Sequence, residues 1–268
     1  MTTTQTQPLA VVTGASSGIG KAYADRFAAE GHALLLVARR QDRLSEVATE
    51  LSGRHGVPVH TLVADLEQPA DLALLEQRLT SERVAVLVNN AGAGALGPTA
   101  SSTADRLESL IRLNVVALTR LSLAALAGFR ERGIGTLINI GSIVAFSPSK
   151  GGAAYSGSKA YVLNFTRSLQ MEYAGSGLRI QVLMPGPIRT EFFSSQGLSD
   201  GIFPDQSYIT AEQLVDAAMA GLAAGEPVTS PTLCDTDIWA GLEAQRTRYM
   251  AQVMAGAIAP RYLAAVSD

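Results

Sequence analysis

Apolar residues along the chain fall into two rhythms. Six short runs, Ala10–Thr13, Ala33–Ala38, Val59–Ala64, Ala85–Asn89, Thr136–Ile140 and Ile180–Met184, are apolar almost without interruption, the pattern of strands buried on both faces. Between them, Gly18–Glu30, Asp42–Ser52, Pro69–Ser81, Thr103–Arg132 and Ala154–Ala174 repeat apolar positions at helical spacing. Strand and helix alternate, which predicts an α/β fold built on a doubly wound parallel sheet, a single domain over 9–268. Two stretches leave the alternation: Pro187–Tyr208, where Phe192, Phe193 and Phe203 stand among Ser, Gly and Pro, and the tail beyond Pro227. Residues 1–8, rich in Thr and Gln, have no periodicity and are expected to be loose.

Such sheets bind ligands at the carboxyl ends of their strands. Here those ends carry small and polar residues: Thr13-Gly14, Ala38-Arg39, Asp65, Asn89-Asn90-Ala91-Gly92, Gly141-Ser142 and Pro185-Gly186. Gly14, Gly18 and Gly20 follow a strand and open a helix, so the backbone can approach an anion beside free N–H groups. A nucleoside triphosphate loop would need glycine where Ala15 stands and Ser or Thr where Ala22 stands, and the common dinucleotide spacing would need glycine at Tyr23. The spacing Gly14-xxx-Gly18-x-Gly20 is a third variant, and alone it describes a bare strand-to-helix turn equally well.

About 20 residues beyond a dinucleotide turn an acidic residue selects NAD and an arginine accommodates the 2′-phosphate of NADP. Arg39 and Arg40 stand there. Either they receive that phosphate, with Ser17 adding a hydroxyl, or they solvate the strand end beside Asp42 and Glu46. If the turn holds a dinucleotide, NADP is favoured.

Tyr155 and Lys159 are four residues apart on a predicted helix and share one face. An ammonium about 4 Å from a phenol in an effective dielectric of about 20 would favour the phenolate by up to about 4 kcal/mol. That would bring the phenol towards neutral pH, where acid-base catalysis works best. Ser142 ends a strand and can hold a carbonyl oxygen, and Asn114 sets an amide inside a long helix.

Taken together, Thr13 to Gly20, Asn89-Asn90-Ala91-Gly92, Asn114, Ser142, Tyr155-xxx-Lys159 and Pro185-Gly186 resemble the motifs of the short-chain dehydrogenase/reductase family, with a Rossmann-like fold, over about residues 9–190. The resemblance implies an NADP(H)-dependent interconversion of a ketone or aldehyde with an alcohol, without a metal. Tyr155 would exchange the proton, Ser142 hold the oxygen, Lys159 lower the Tyr155 pKa and bind the nicotinamide ribose, and Asn114 anchor a water. The cofactor would lie on Gly14, Ser16, Ser17, Gly18, Ile19 and Gly20, with Asp65 and Leu66 at the adenine. Asn90, Ala91 and Gly92, and then Pro185, Gly186, Ile188 and Thr190, would flank the rest. Asp65 reads equally as a helix N-cap before Glu67. Alternatives are a 3-oxoacyl thioester reductase and a non-catalytic NADPH-binding regulator.

The family carries its substrate lid where Phe192, Phe193, Ile202, Phe203 and Tyr208 stand, within about 187–210. They form either an apolar roof over a hydrophobic carbonyl compound or packing on the body of the protein. In the tail, Trp239, Leu242, Tyr249, Val253 and Met254 recur at helical spacing, as for core packing or a subunit contact. The resemblance also implies a homodimer or homotetramer formed through the long helices. Among 268 residues 47% are apolar and 17% charged, enough for a full core, and the net charge of -3 without a basic cluster argues against nucleic acid. No apolar run approaches the roughly 20 residues of a membrane span, and no leader pattern opens the chain, so a cytoplasmic protein is expected. Cys234 is the only cysteine.

Overall fold

In the structure, a computed structural model, residues 7–199 and 201–263 are described; most of the segment expected to be loose lies outside them. In chain order come β1 (Leu9–Thr13), α1 (Gly18–Ala29), β2 (Ala33–Ala38), α2 (Gln41–His55), β3 (Val59–Val63), α3 (Pro69–Ser81) and β4 (Val84–Asn89). They are followed by α4 (Ala104–Ile111), α5 (Leu118–Arg132), β5 (Gly135–Ile140), α6 (Ala153–Glu172) and β6 (Leu178–Leu183). These are the elements the sequence predicts, within a few residues at each end. Beyond them lie β7 (Ile188–Arg189), β8 (Ile209–Thr210), α7 (Ala211–Ala223), β9 (Val228–Thr229), α8 (Thr236–Met254) and α9 (Pro260–Leu263).

Seven parallel strands form one sheet in the order β3-β2-β1-β4-β5-β6-β9. The chain builds outward from β1 to β3, then returns to set β4 on the other side of β1. Their carboxyl ends diverge into a crevice at that switch point. Alternate residues of β1 feed two cores: Ala10 and Val12 join α1, α2 and α7, whereas Val11 joins α3 and α5. Burial on both faces fails at β3, an edge strand with Val63 47% exposed, because the outermost strand has one neighbour and less cover.

The helix predicted over Thr103–Arg132 is a helical stretch interrupted by a π-helical turn at Arg112–Ala117. By length and composition Ala104–Arg132 would suffice to cross a membrane. Its Leu113, Ala117, Leu121, Ala125 and Phe129 are buried in the core against the sheet. The alternation read from the sequence stops at Met184 and misses α7, although a capping box opens that helix: Thr210 Oγ1 accepts from Gln213 N, and Gln213 Oε1 from Thr210 N. β9, two residues long, is too short to register as an apolar run.

After Pro231 the chain divides into two compact units. The first holds the sheet and the crevice. The second holds α8 and α9; Asp235 caps α8, and none of its residues is buried. Leu242, Tyr249, Val253 and Met254 are exposed and Trp239 is half-buried, so the core-packing reading of these residues is corrected.

Candidate active site

At the end of β1, Gly14 takes φ +66°, open to glycine at no steric penalty. A Cβ on Gly20 would overlap the Gly14 carbonyl oxygen, so the turn closes this tightly only with glycine there. Asn90 clamps it from β4: its Nδ2 donates to Thr13 O (2.9 Å) and Gly14 O (3.2 Å), while Thr13 Oγ1 accepts from Asn90 N and Ala91 N, both at 3.0 Å. Ser17, the N-cap of α1, makes no side-chain cap bond, which leaves first-turn N–H groups of α1 facing the crevice. Glycine cradle and unpaired helix donors together suit a pyrophosphate.

Both arginines at the end of β2 meet acids, though not Asp42 and Glu46. Arg39, largely exposed, lies 4.0 Å from Asp65 and 3.7 Å from Glu67. Arg40 donates through Nη2 to Ser17 Oγ (2.8 Å) and Ser16 Oγ (3.1 Å), and through Nη1 to Glu191 (3.0 Å). Asp65 is not the cap of α3, whose N-cap is Gln68. Its Oδ1 accepts from Glu67 N (3.2 Å) in a turn just before the helix, and its N–H donates to Asp71 (2.8 Å).

Beyond β5, Ser142 Oγ accepts from Val144 N (3.4 Å) at the head of a short 3-10 turn. Tyr155 and Lys159 lie on the first turns of α6. The Lys159 ammonium is buried and donates to Ile140 O (2.8 Å), standing 5.9 Å from the centre of the Tyr155 ring. Burial pulls Lys159 down to about 8. Burial also pushes the Tyr155 phenol up to about 12, against a hydrogen bond with Ser142 that lowers it. This corrects the expected phenol near neutrality: loss of solvent around the phenolate outweighs a cation that is itself desolvated. Asn114, inside the π-turn, gives Nδ2 to Ala93 O (2.9 Å) and Ser158 Oγ (3.1 Å) and accepts from Ala93 N at Oδ1 (2.9 Å). Its amide thus fixes the loop after β4, with one Oδ1 lone pair left for a water.

All the predicted site residues except Gly20 and Asn114 line one cleft of about 540 Å³; those two act from behind it. The roof is aromatic. Phe192 lies 5.5 Å from the Tyr155 ring, Phe193 5.3 Å from Phe192, and Phe203 5.9 Å from Phe193. These three line the cleft. Tyr208 instead meets Phe203 edge-on, under the Arg189 guanidinium, and Ile202 is exposed. Leu96, Ile143 and Val144 extend the apolar wall beside Ser142.

Sequence reasoning missed three residues here. Ser158, three positions after Tyr155 on one helix face, was open to detection by spacing. Glu191, and Gln196 through its Oε1, find partners 100 or more residues away, a relation without local signal. Gln196 fastens the roof to the loop after β4: Oε1 accepts from Leu96 N (3.2 Å) and Nε2 donates to Phe192 O (2.8 Å). A Cβ on Gly94 would overlap that amide. Gly94→Ala is expected to raise substrate KM about three- to tenfold by displacing Gln196, with folding stability changed by less than about 1 kcal/mol because the clash meets a movable side chain. Steady-state kinetics beside thermal melts separate the two effects, and an unchanged KM would show that the amide contact does not hold the roof.

Comparison with known proteins bears on this cleft. Residues 8–200 match the family model described as short chain dehydrogenase. Sulfoacetaldehyde reductase 2 of Chromohalobacter salexigens is 36% identical over 218 residues, covering 78% of this chain and 85% of that protein. A short-chain dehydrogenase from Sphingobium yanoikuyae in complex with NADPH superposes with a TM-score of 0.91 at 41% identity, over 95% of this chain and 99% of that one. The bulky-bulky ketone specific alcohol dehydrogenase from Comamonas testosteroni gives 0.87 at 36% identity, over 97% and 100%.

Proposed function

The chain belongs to the short-chain dehydrogenase/reductase family, and on that footing we propose that it reduces a bulky, uncharged ketone with NADPH, and reverses the reaction, with Tyr155 as the proton donor. One observation carries this reading: Tyr155, hydrogen-bonded with Ser142 and a turn from buried Lys159, meets an apolar roof at one part of a cleft whose glycine turn and arginines suit a dinucleotide.

The Gly14–Gly20 turn and the free N–H groups of α1 would hold the pyrophosphate, and Arg39, Arg40, Ser16 and Ser17 the 2′-phosphate. Asp65 and Leu66 would meet the adenine. Asn90, Ala91, Gly92, Pro185, Gly186, Ile188 and Thr190 would flank the remainder, with Lys159 at the nicotinamide ribose. When bound, the reduced nicotinamide supplies a hydride to the carbonyl carbon. Tyr155 Oη gives its proton to the carbonyl oxygen while the Ser142 hydroxyl holds that oxygen. With burial raising its pKa, the phenol carries its proton at neutral pH, the form that reduction requires. Asn114 keeps Ala93 and Ser158 in place behind Lys159.

The relatives' names offer both an anionic aldehyde and a bulky ketone. Of the charged residues lining the cleft, Arg39, Arg40, Asp65 and Glu191 gather beyond β2 and β3, and Lys159, bonded to Ile140 O, is the group assigned to the nicotinamide ribose. Among the described lining residues no other cation stands by Tyr155 to receive a sulfonate, and burying an anion without a partner is strongly unfavourable. The test is NADPH oxidation with ketones of rising bulk and with sulfoacetaldehyde. Turnover that climbs with ketone size supports the reading; a preference for sulfoacetaldehyde overturns it. For the cofactor, Arg39→Ala is expected to weaken NADPH binding about tenfold, on the order of one charge-assisted hydrogen bond at an exposed site, and to leave NADH binding unchanged. Nicotinamide fluorescence measures both, and NADH bound as tightly as NADPH by the starting protein would remove the phosphate assignment.

A further inference from the structure

Glu191 stands where the roof segment leaves the sheet, and it reaches back to α2. Arg43 Nη1 donates to both its oxygens, at 2.6 and 2.7 Å, and Arg40 Nη1 donates to one at 3.0 Å. Arg40 turns its other nitrogen to Ser16 and Ser17, at the mouth of the glycine turn. Just before Glu191, Thr190 presses on that same turn, its Cγ2 3.0 Å from where a Cβ on Gly18 would stand. The first residues of the roof therefore cross the dinucleotide turn and are tied down there by one carboxylate between two arginines.

Charges along this line run Arg43 positive, Glu191 negative, Arg40 positive, with Arg39 beside it and held only loosely by its acids. An anion at Ser16, Ser17 and Arg40 would continue the alternation. We infer that Glu191 is a positioning residue that fastens the roof to the cofactor's 2′-phosphate: the phosphate holds Arg40, Arg40 and Arg43 hold Glu191, and Glu191 holds the roof over the ketone. This rests on the proposed NADP(H) site. Each pair in the line is about half exposed, so single links are weak and the effect comes from the connected set.

Amide exchange across residues 188–198 reads the tie directly, on the full chain saturated with NADPH or with NADH. NADPH is expected to slow exchange there about two- to fivefold more than NADH does, the range set by exposed ion pairs. Glu191→Gln, and Arg43→Gln from the other side, should erase that difference and bring ketone KM with NADPH up to its value with NADH, while kcat holds. Fluorescence titration keeps the two failures apart. NADPH preferred by the protein with equal roof exchange under both cofactors overturns the tie and leaves the cofactor reading standing. Faster exchange with NADPH, or a difference that survives in both variants, also overturns the tie, and NADPH bound no better than NADH overturns both.

Discussion

Tyr155→Phe is expected to lower kcat for ketone reduction by about 10²- to 10⁴-fold, the usual contribution of a positioned proton donor, while NADPH affinity stays within about twofold. The substitution removes one oxygen from a half-buried ring that keeps its contact with Phe192. Ser142 retains its place at the head of its 3-10 turn through Val144 N, so the carbonyl oxygen can still be held but receives no proton from the protein. The loss should therefore fall on kcat, with KM little changed. Single-turnover kinetics with NADPH, set beside fluorescence titration of the same variant, tell chemistry from binding. A kcat within tenfold of the starting protein would mean that the proton comes from another source, and Tyr155 would be only a wall of the cleft.

The second large effect has two signs. Lys159→Met is expected to abolish turnover to a similar degree and yet to stabilise the unliganded protein by about 1–2 kcal/mol at pH 7. The ammonium sits buried with one carbonyl partner, its pKa pulled from 10.5 to about 8, a drop on the order of 3 kcal/mol of unfavourable burial in the charged form. Methionine fills the space without that penalty, and the orphaned Ile140 carbonyl takes back about 1 kcal/mol. The pH dependence follows from the same groups. Between about pH 8 and 10.5 the unfolded chain holds a Lys159 proton that the folded chain has released, so stability rises with pH in that window. Tyr155 acts oppositely from about pH 10 to 12, where the folded phenol keeps a proton the unfolded one has lost, and stability falls. Urea denaturation at a series of pH values should show the rise in the starting protein and only the fall in Lys159→Met. A destabilised variant would mean that Lys159 is a favourable tether of β5 to α6 rather than a group held against its own solvation.

Much of this was legible in the chain because it is written locally. Continuous apolar runs gave the strands, and small polar residues at their ends marked the crevice, since parallel strands deliver those ends to one edge. Tyr155 and Lys159 announce themselves by helical spacing. What stayed hidden depends on distance or on environment. Glu191 pairs with Arg43 and Gln196 with Leu96 only after the roof has folded back over the sheet. The Tyr155 phenol was expected to fall towards neutrality from its spacing to a cation, but burial, which spacing does not report, moves it the other way. Exposure of the tail's apolar row was equally invisible, because periodicity tells which face is apolar and not whether anything covers it.

The π-turn at Arg112–Ala117 also carries a consequence for registry. An α-helix advances about 100° per residue, and a π-turn accommodates one residue more than the helix around it needs. Leu110 and Phe129 are both buried, although an uninterrupted α-helix would turn positions that far along the chain about 100° apart. The extra residue acts as a phase shifter: it lets the helix before Asn114 and the helix after it each present a buried face while the amide is thrown out of sequence towards Ala93. Shortening the turn by one residue would leave a smoother helix and a poorer enzyme, because one half of the stretch would rotate off its packing surface or Asn114 would leave the loop it holds.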